Sequence, residues 1–169
     1  MPAGLLSTKF FSSSGFILSR LYSQAASLRV TGSVTLVPFE IGTPLWSSND
    51  RLHWTKVPAG LEGAKFTQFD SQYKGATEFV VESSGTVFLA VTSRWGSGGN
   101  HSGSWTEELT SKEAFLDQGW KEISPLHETS DEIGHQHQWI LYSRDCHAGE
   151  HFRLRTEKYC APILFQVAR

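Results

Sequence analysis

An all-β fold, a mostly antiparallel sandwich with one short helical turn, is what this 169-residue chain predicts. Short runs rich in Val, Thr, Phe and other β-branched or aromatic residues recur, and Gly, Pro, Asn, Asp or Ser fills most gaps between them. The composition agrees, with 15 Gly, 6 Trp and 11 Phe beside a single Met and no long Ala/Leu/Glu/Lys run of helical period. Closely spaced strands of this kind pack as a sandwich or a barrel. No repeat recurs, which sets aside solenoids and propellers.

Taken in order, the strand-like segments are "LRVTGSVTLVPFEI" from Leu28, "RLHWTKV", "AKFTQF", "TEFVVES", "GTVFLAVTSRW", "GWKEIS", "HQWILYSRD", "HFRLRT" and "PILFQVA". The helical turn is "SKEAFLDQG": Ser111 is placed to cap it, Glu113 lies early, and Gly119 follows as a stop. In "GTVFLAVT", Val87, Leu89 and Val91 alternate with Phe88, Ala90 and Thr92, so both faces of that strand carry apolar side chains and it is expected at the centre of a sheet. Trp120 and Trp139, embedded in strand-like runs, are expected in the core. Trp46, Trp95 and Trp105 are expected to be exposed.

The length fits one domain with a sizeable core, assigned to residues 28–169, behind a basic, Ser-rich extension at 1–27. Residues 1–39 contain no Asp or Glu and include Lys9, Arg20 and Arg29, the composition of an organelle transit peptide. "SRLYSQ" resembles a mitochondrial processing site. A secretory signal needs an unbroken apolar stretch, and "GLLSTKFFSSSGFIL" is interrupted by Lys9 and serines. Composition defines targeting loosely, and an N-terminus with no address at all stands equally open. A net charge of −2 with no basic run argues against nucleic acid as a partner. No apolar stretch approaches the roughly 20 residues of a membrane-spanning helix.

"RWGSGGNHSGSW", from Arg94 to Trp105, leaves the end of the expected central strand. It is not a phosphate cradle: Gly98 and Gly103 have the P-loop spacing, but Ser104 and Trp105 stand where Lys and Ser/Thr are required. It is not a dinucleotide fingerprint either, since His101 occupies the third glycine position after Gly96 and Gly98. No cofactor is expected. Loops carried on a rigid strand are frequent seats of binding, which favours a site over an interdomain linker.

A family resemblance is carried by "LWSSNDRLHWTKVPAGLEGAKFTQFD", "TEFVVESSGTVFLAVTSRW", "DQGWKEI", "WILYSRDCHAGEHFRLR" and "APILFQVA", over residues 44–168. Together they resemble the small β-sandwich accessory modules found beside the catalytic domains of secreted bacterial polysaccharide-degrading enzymes and sulfatases. The resemblance implies a galactose-binding-like or jelly-roll sandwich, a carbohydrate-associated role and a secreted location, and it supplies no catalytic motif.

Sugar recognition needs an aromatic platform for the apolar face of a pyranose and polar groups for its hydroxyl rim. Trp95 and Trp105 flank the loop, and Arg94, Asn100 and His101 supply polar contacts, so these five residues form the expected site. The expected function is a non-catalytic module binding carbohydrate or glycoconjugate. A protein-interaction or structural module is the alternative.

Metal and enzyme readings are weaker. His135 and His137 point the same way on a strand, but the remainder of a cupin-type motif is absent, and "CHAGEH" lacks the C-x-x-C pairing of a structural zinc site. Surface histidines are expected, with no metal. Cys146 and Cys160 are placed either to form a disulfide or to remain buried thiols, according to the redox compartment. The sequon at Asn100 matters only in a secretory pathway. G-x-S-x-G is absent, and the doublets Glu107–Glu108 and Asp131–Glu132 point to opposite faces of any strand they join, so no catalytic residue is assigned.

Overall fold

The structure, a computed structural model, describes residues 25–92, 112–130, 136–156 and 162–167. In chain order its elements are β1 (Ser27–Thr31), β2 (Val34–Pro38), β3 (Pro44–Trp46), β4 (Asn49–Trp54), β5 (Lys65–Phe69), β6 (Gly75–Ser83), β7 (Gly85–Thr92), α1 (Lys112–Asp117), β8 (Lys121–Ser130), β9 (Gln136–Cys146), β10 (His151–Thr156) and β11 (Ile163–Gln166). The all-β, mostly antiparallel sandwich is what the residues fold into.

A three-stranded sheet, β1-β6-β10, faces an eight-stranded one of order β11-β7-β9-β8-β4-β3-β5-β2. The larger sheet curls back on itself. Phe165 of β11 pairs with Phe66 of β5, while the same edge of β5 meets β3 at Phe69, in parallel with Trp46. The segment read as one strand from Leu28 is two, β1 and β2, broken at Gly32, whose φ of +131° is open to glycine and costly for other residues.

The register explains why there are two cores. Leu164, Leu89 and Tyr142 lie in one row across β11, β7 and β9, all facing the small sheet. The adjacent rows, Ile163–Ala90–Leu141 and Phe165–Phe88–Ser143, face the opposite way because successive strand residues alternate. One core therefore holds Val87, Leu89 and Val91 against Leu28, Phe79, Val81 and Leu154. The other holds Phe88 and Ala90 with Phe39, Trp54, Phe66, Trp139 and Phe165 inside the curled sheet. The expected central strand, β7, is hydrogen-bonded on both edges and buried on both faces.

The helical turn forms as expected. Phe115 of α1 is buried and stacks on Trp120, with ring centroids 5.0 Å apart and planes 6° from parallel, and meets Tyr142 edge-on at 5.0 Å. Gly119 ends it at φ +88°, its N–H donating to the Leu116 carbonyl at 2.9 Å. Ser111, the expected cap, lies outside the described residues.

Of the first described residues, Ala25 is buried in one core and Ala26 in the other. Ala25 bridges Thr86, and the Ala26 N–H donates to the Thr86 carbonyl at 3.0 Å. No helix among the described residues is long and apolar enough to cross a membrane.

Candidate functional site

The five loop residues expected to hold a sugar, Arg94, Trp95, Asn100, His101 and Trp105, lie outside the described residues. Their two anchors do not. β7 delivers the chain at Thr92, whose backbone pairs with that of Trp139, and α1 receives it at Lys112. In the chain, residues 93–111 connect a strand buried on both faces to a helix whose Phe115 stacks on Trp120.

Among the described residues a concave feature stands out. β3 and β4 form a hairpin whose turn, Ser47–Ser48, is dictated by the polar run "SSND" after the apolar "LW". The turn is pinned to the end of β5. The Ser47 N–H donates to the Phe69 carbonyl at 2.9 Å, and the Ser48 hydroxyl accepts from the Ser71 N–H and lies 3.0 Å from the Ser71 hydroxyl. The Gln68 amide donates through Nε2 to the Pro44 carbonyl at 2.6 Å. Between the hairpin and β2 an open cleft of about 590 Å³ results, lined by Val37, Thr43, Pro44, Trp46, Ser47, Ser48, Asn49, Asp50 and Gln68. Asp50 is the one charged residue among the described residues of that lining. Nothing in the sequence reading pointed here; the available signal was "WSSND", a Trp followed by hairpin-turn residues.

Trp46 corrects an expectation. It is 2% exposed, because the hairpin folds it onto Phe69 and Trp139, with ring centroids 6.4 Å apart in the second contact. Trp54, Trp120 and Trp139 are buried as well. The indole N–H groups of Trp46, Trp54 and Trp139 are buried without a hydrogen-bond partner among the described residues, which on general grounds costs each about 1–3 kcal/mol of desolvation.

The histidines and cysteines fall as follows. His135 lies outside the described residues, and nothing is described of the His137 side chain. His147 and His151 are exposed. The backbone N–H of His147 donates to Glu150 at 2.6 Å, and the His151 ring is 3.4 Å from Glu78. Among the described residues no group of three or more His, Cys, Asp or Glu is placed to hold a metal ion. Cys146 is a free, buried thiol, and Cys160 lies outside the described residues. Burial first, then the Glu150 carboxylate, push the Cys146 thiol up to about 11; Arg144 opposes them, and Asp145 adds the smallest upward push.

No protein-family model matches the chain, and no curated protein matches it. Solved structures do. The chain is similar to a glycoside hydrolase family 138 enzyme targeting pectin rhamnogalacturonan II, with a TM-score of 0.53 and 15% identity over 85% of this chain. It is also similar to a β-glucuronidase from glycoside hydrolase family 2, with a TM-score of 0.51 and 9% identity over 88% of this chain. The chain spans 16% and 14% of those two chains. At such identities the likeness establishes the fold: a β-sandwich domain of a kind that also occurs as a segment within glycoside hydrolase chains.

Proposed function

We propose that this protein is a non-catalytic carbohydrate-binding β-sandwich, with the loop from Arg94 to Trp105 as its site. One observation carries the reading furthest: nearly the whole chain matches in fold a small segment of two carbohydrate-active enzymes. A role beside a catalytic domain rather than as one fits that proportion. The described cleft presents a single carboxylate, Asp50, where glycoside hydrolysis generally uses a pair. In the loop, Trp95 and Trp105 supply the stacking surface, and Arg94, Asn100 and His101 meet the hydroxyl rim. The test is a titration of the purified protein against a panel of neutral and acidic plant and bacterial oligosaccharides by calorimetry. Saturable binding without release of reducing sugar supports the proposal, and turnover of any panel member removes its non-catalytic part.

A protein-interaction module is the second reading. It is favoured by Leu36 and Ile41, large apolar residues that stay exposed on and just after the terminal strand β2, Ile41 at 70%. Absence of binding across the whole panel favours it.

A further inference from the structure

We propose that the cleft between β2 and the β3–β4 hairpin is a second ligand site, built from residues other than those from Arg94 to Trp105, for a neutral polyhydroxylated ligand such as an uncharged sugar residue. The ligand class rests on the carbohydrate reading above; the location does not.

Four features point there. First, the volume of about 590 Å³ lies in the range of small-molecule sites, roughly 300–1,000 Å³. Second, the walls are held before any ligand arrives: the Gln68–Pro44 bond ties β5 to β3, and the Ser48–Ser71 contacts fix the turn. Preorganised polar groups lose little freedom on binding. Third, hydrogen-bonding capacity is left over after those bonds. Gln68 spends Nε2 on Pro44 and Asn49 spends Oδ1 on the Arg51 N–H at 3.0 Å, which leaves the Gln68 carbonyl oxygen and the Asn49 NH₂ for a ligand. Thr43 and Ser47, two hydroxyl residues, also line the cleft. Such groups both donate and accept, as sugar hydroxyls do. Fourth, Val37 and Pro44 add an apolar patch to the same lining.

Other ligand classes fit less well. Among the described lining residues an anion meets no Lys, Arg or His and one carboxylate. A hard divalent cation generally draws on several carboxylate or carbonyl oxygens, and Asp50 is the one carboxylate among the described lining residues. A wholly apolar ligand desolvates the Gln68 Oε1 and the Asn49 NH₂ without supplying a partner for either.

Asp50 gives the site a sign that can be read. A sugar carboxylate about 4 Å from it is disfavoured by about fivefold even in a water-like dielectric. The experiment follows ¹H–¹⁵N spectra of the full chain during titration with galactose, glucose, mannose and glucuronate. With at least one of the neutral sugars, shifts are expected at the amides of residues 43–50 and at the Gln68 side-chain amide, and they persist in Trp105→Ala. Glucuronate is expected to bind at least about fivefold more weakly, and Asp50→Asn, at an exposed position, is expected to remove most of that difference. Gln68→Ala is expected to lose about tenfold in affinity, as for one lost hydrogen bond. Absence of shifts at residues 43–50 with every neutral sugar overturns the proposal. So does glucuronate binding as tightly as the neutral sugars, or a preference unchanged by Asp50→Asn, a readout that holds even if Gln68→Ala folds poorly. Glycan binding that Trp105→Ala abolishes entirely contradicts the cleft and leaves the loop reading standing, whereas shifts confined to the cleft do the reverse.

Discussion

Phe88 and Leu89 are neighbours in the chain and are buried in different cores, Phe88 against Phe39 and Phe165 inside the curled sheet and Leu89 against the three-stranded sheet. Their backbone is shared, so β7 locks the two halves of the fold together. Phe88→Ala is expected to cost about 3–5 kcal/mol and Leu89→Ala about 2–5 kcal/mol. Ile41→Ala, at an exposed position, is expected to stay within about 0.5 kcal/mol of the parent. Urea denaturation of the three variants checks this, and a mild Phe88→Ala places the second core's contribution elsewhere.

What could be read from the residues was the local pattern. Val87 through Val91 are apolar on both faces, and a strand of that kind has only an interior position open to it. Gly119 after an apolar turn marked a stop that needs only backbone freedom, and it is one. The burial of Trp46 is not legible locally, because it precedes "SSND" and a ring beside four polar residues looks solvent-facing. Its burial is decided by Phe69 and Trp139, far along the chain, through pairings a local window does not contain. The course of β8 was also hidden. It continues past Ile123 through Pro125 with two register shifts against β9, and Pro ordinarily ends a strand reading. The loop site depends on where Trp95 and Trp105 stand, which lies outside the described residues.

Gly119 yields a backbone prediction free of packing effects. A Cβ added there meets nothing within 4 Å, so the cost of Gly119→Ala comes from φ +88° alone. About 1–2 kcal/mol of destabilisation is expected, measured by thermal or urea unfolding.

Ala25 and Ala26 make the edge of the fold testable. A chain beginning at Leu28 lacks their burial and the Ala26–Thr86 bond, and is expected to melt lower than a chain beginning at Gln24. Equal melting temperatures by calorimetry contradict their place in the cores.

Cys146 predicts an alkaline loss of stability. Its folded value of about 11 lies above the ordinary 9.0, so between those two pH values the unfolded chain releases a proton that the folded chain retains. The contribution is present in full below pH 9 and declines as pH rises toward 11, by on the order of 1–2 kcal/mol. Cys146→Ala is expected to flatten that part of the stability curve. The same burial predicts slow alkylation by iodoacetamide at neutral pH until the protein unfolds.

The carbohydrate reading itself stands most directly on Trp105→Ala, measured for glycan affinity and for unfolding free energy on the same preparation. The account predicts that the wild type binds a member of the oligosaccharide panel, and that the variant loses most of the loop-site affinity while its stability is nearly unchanged, because an exposed ring stacks on a ligand rather than on the core. A loss of about 3–5 kcal/mol in stability, the cost of emptying a buried Trp position, would contradict it, as would a wild-type protein that binds no glycan.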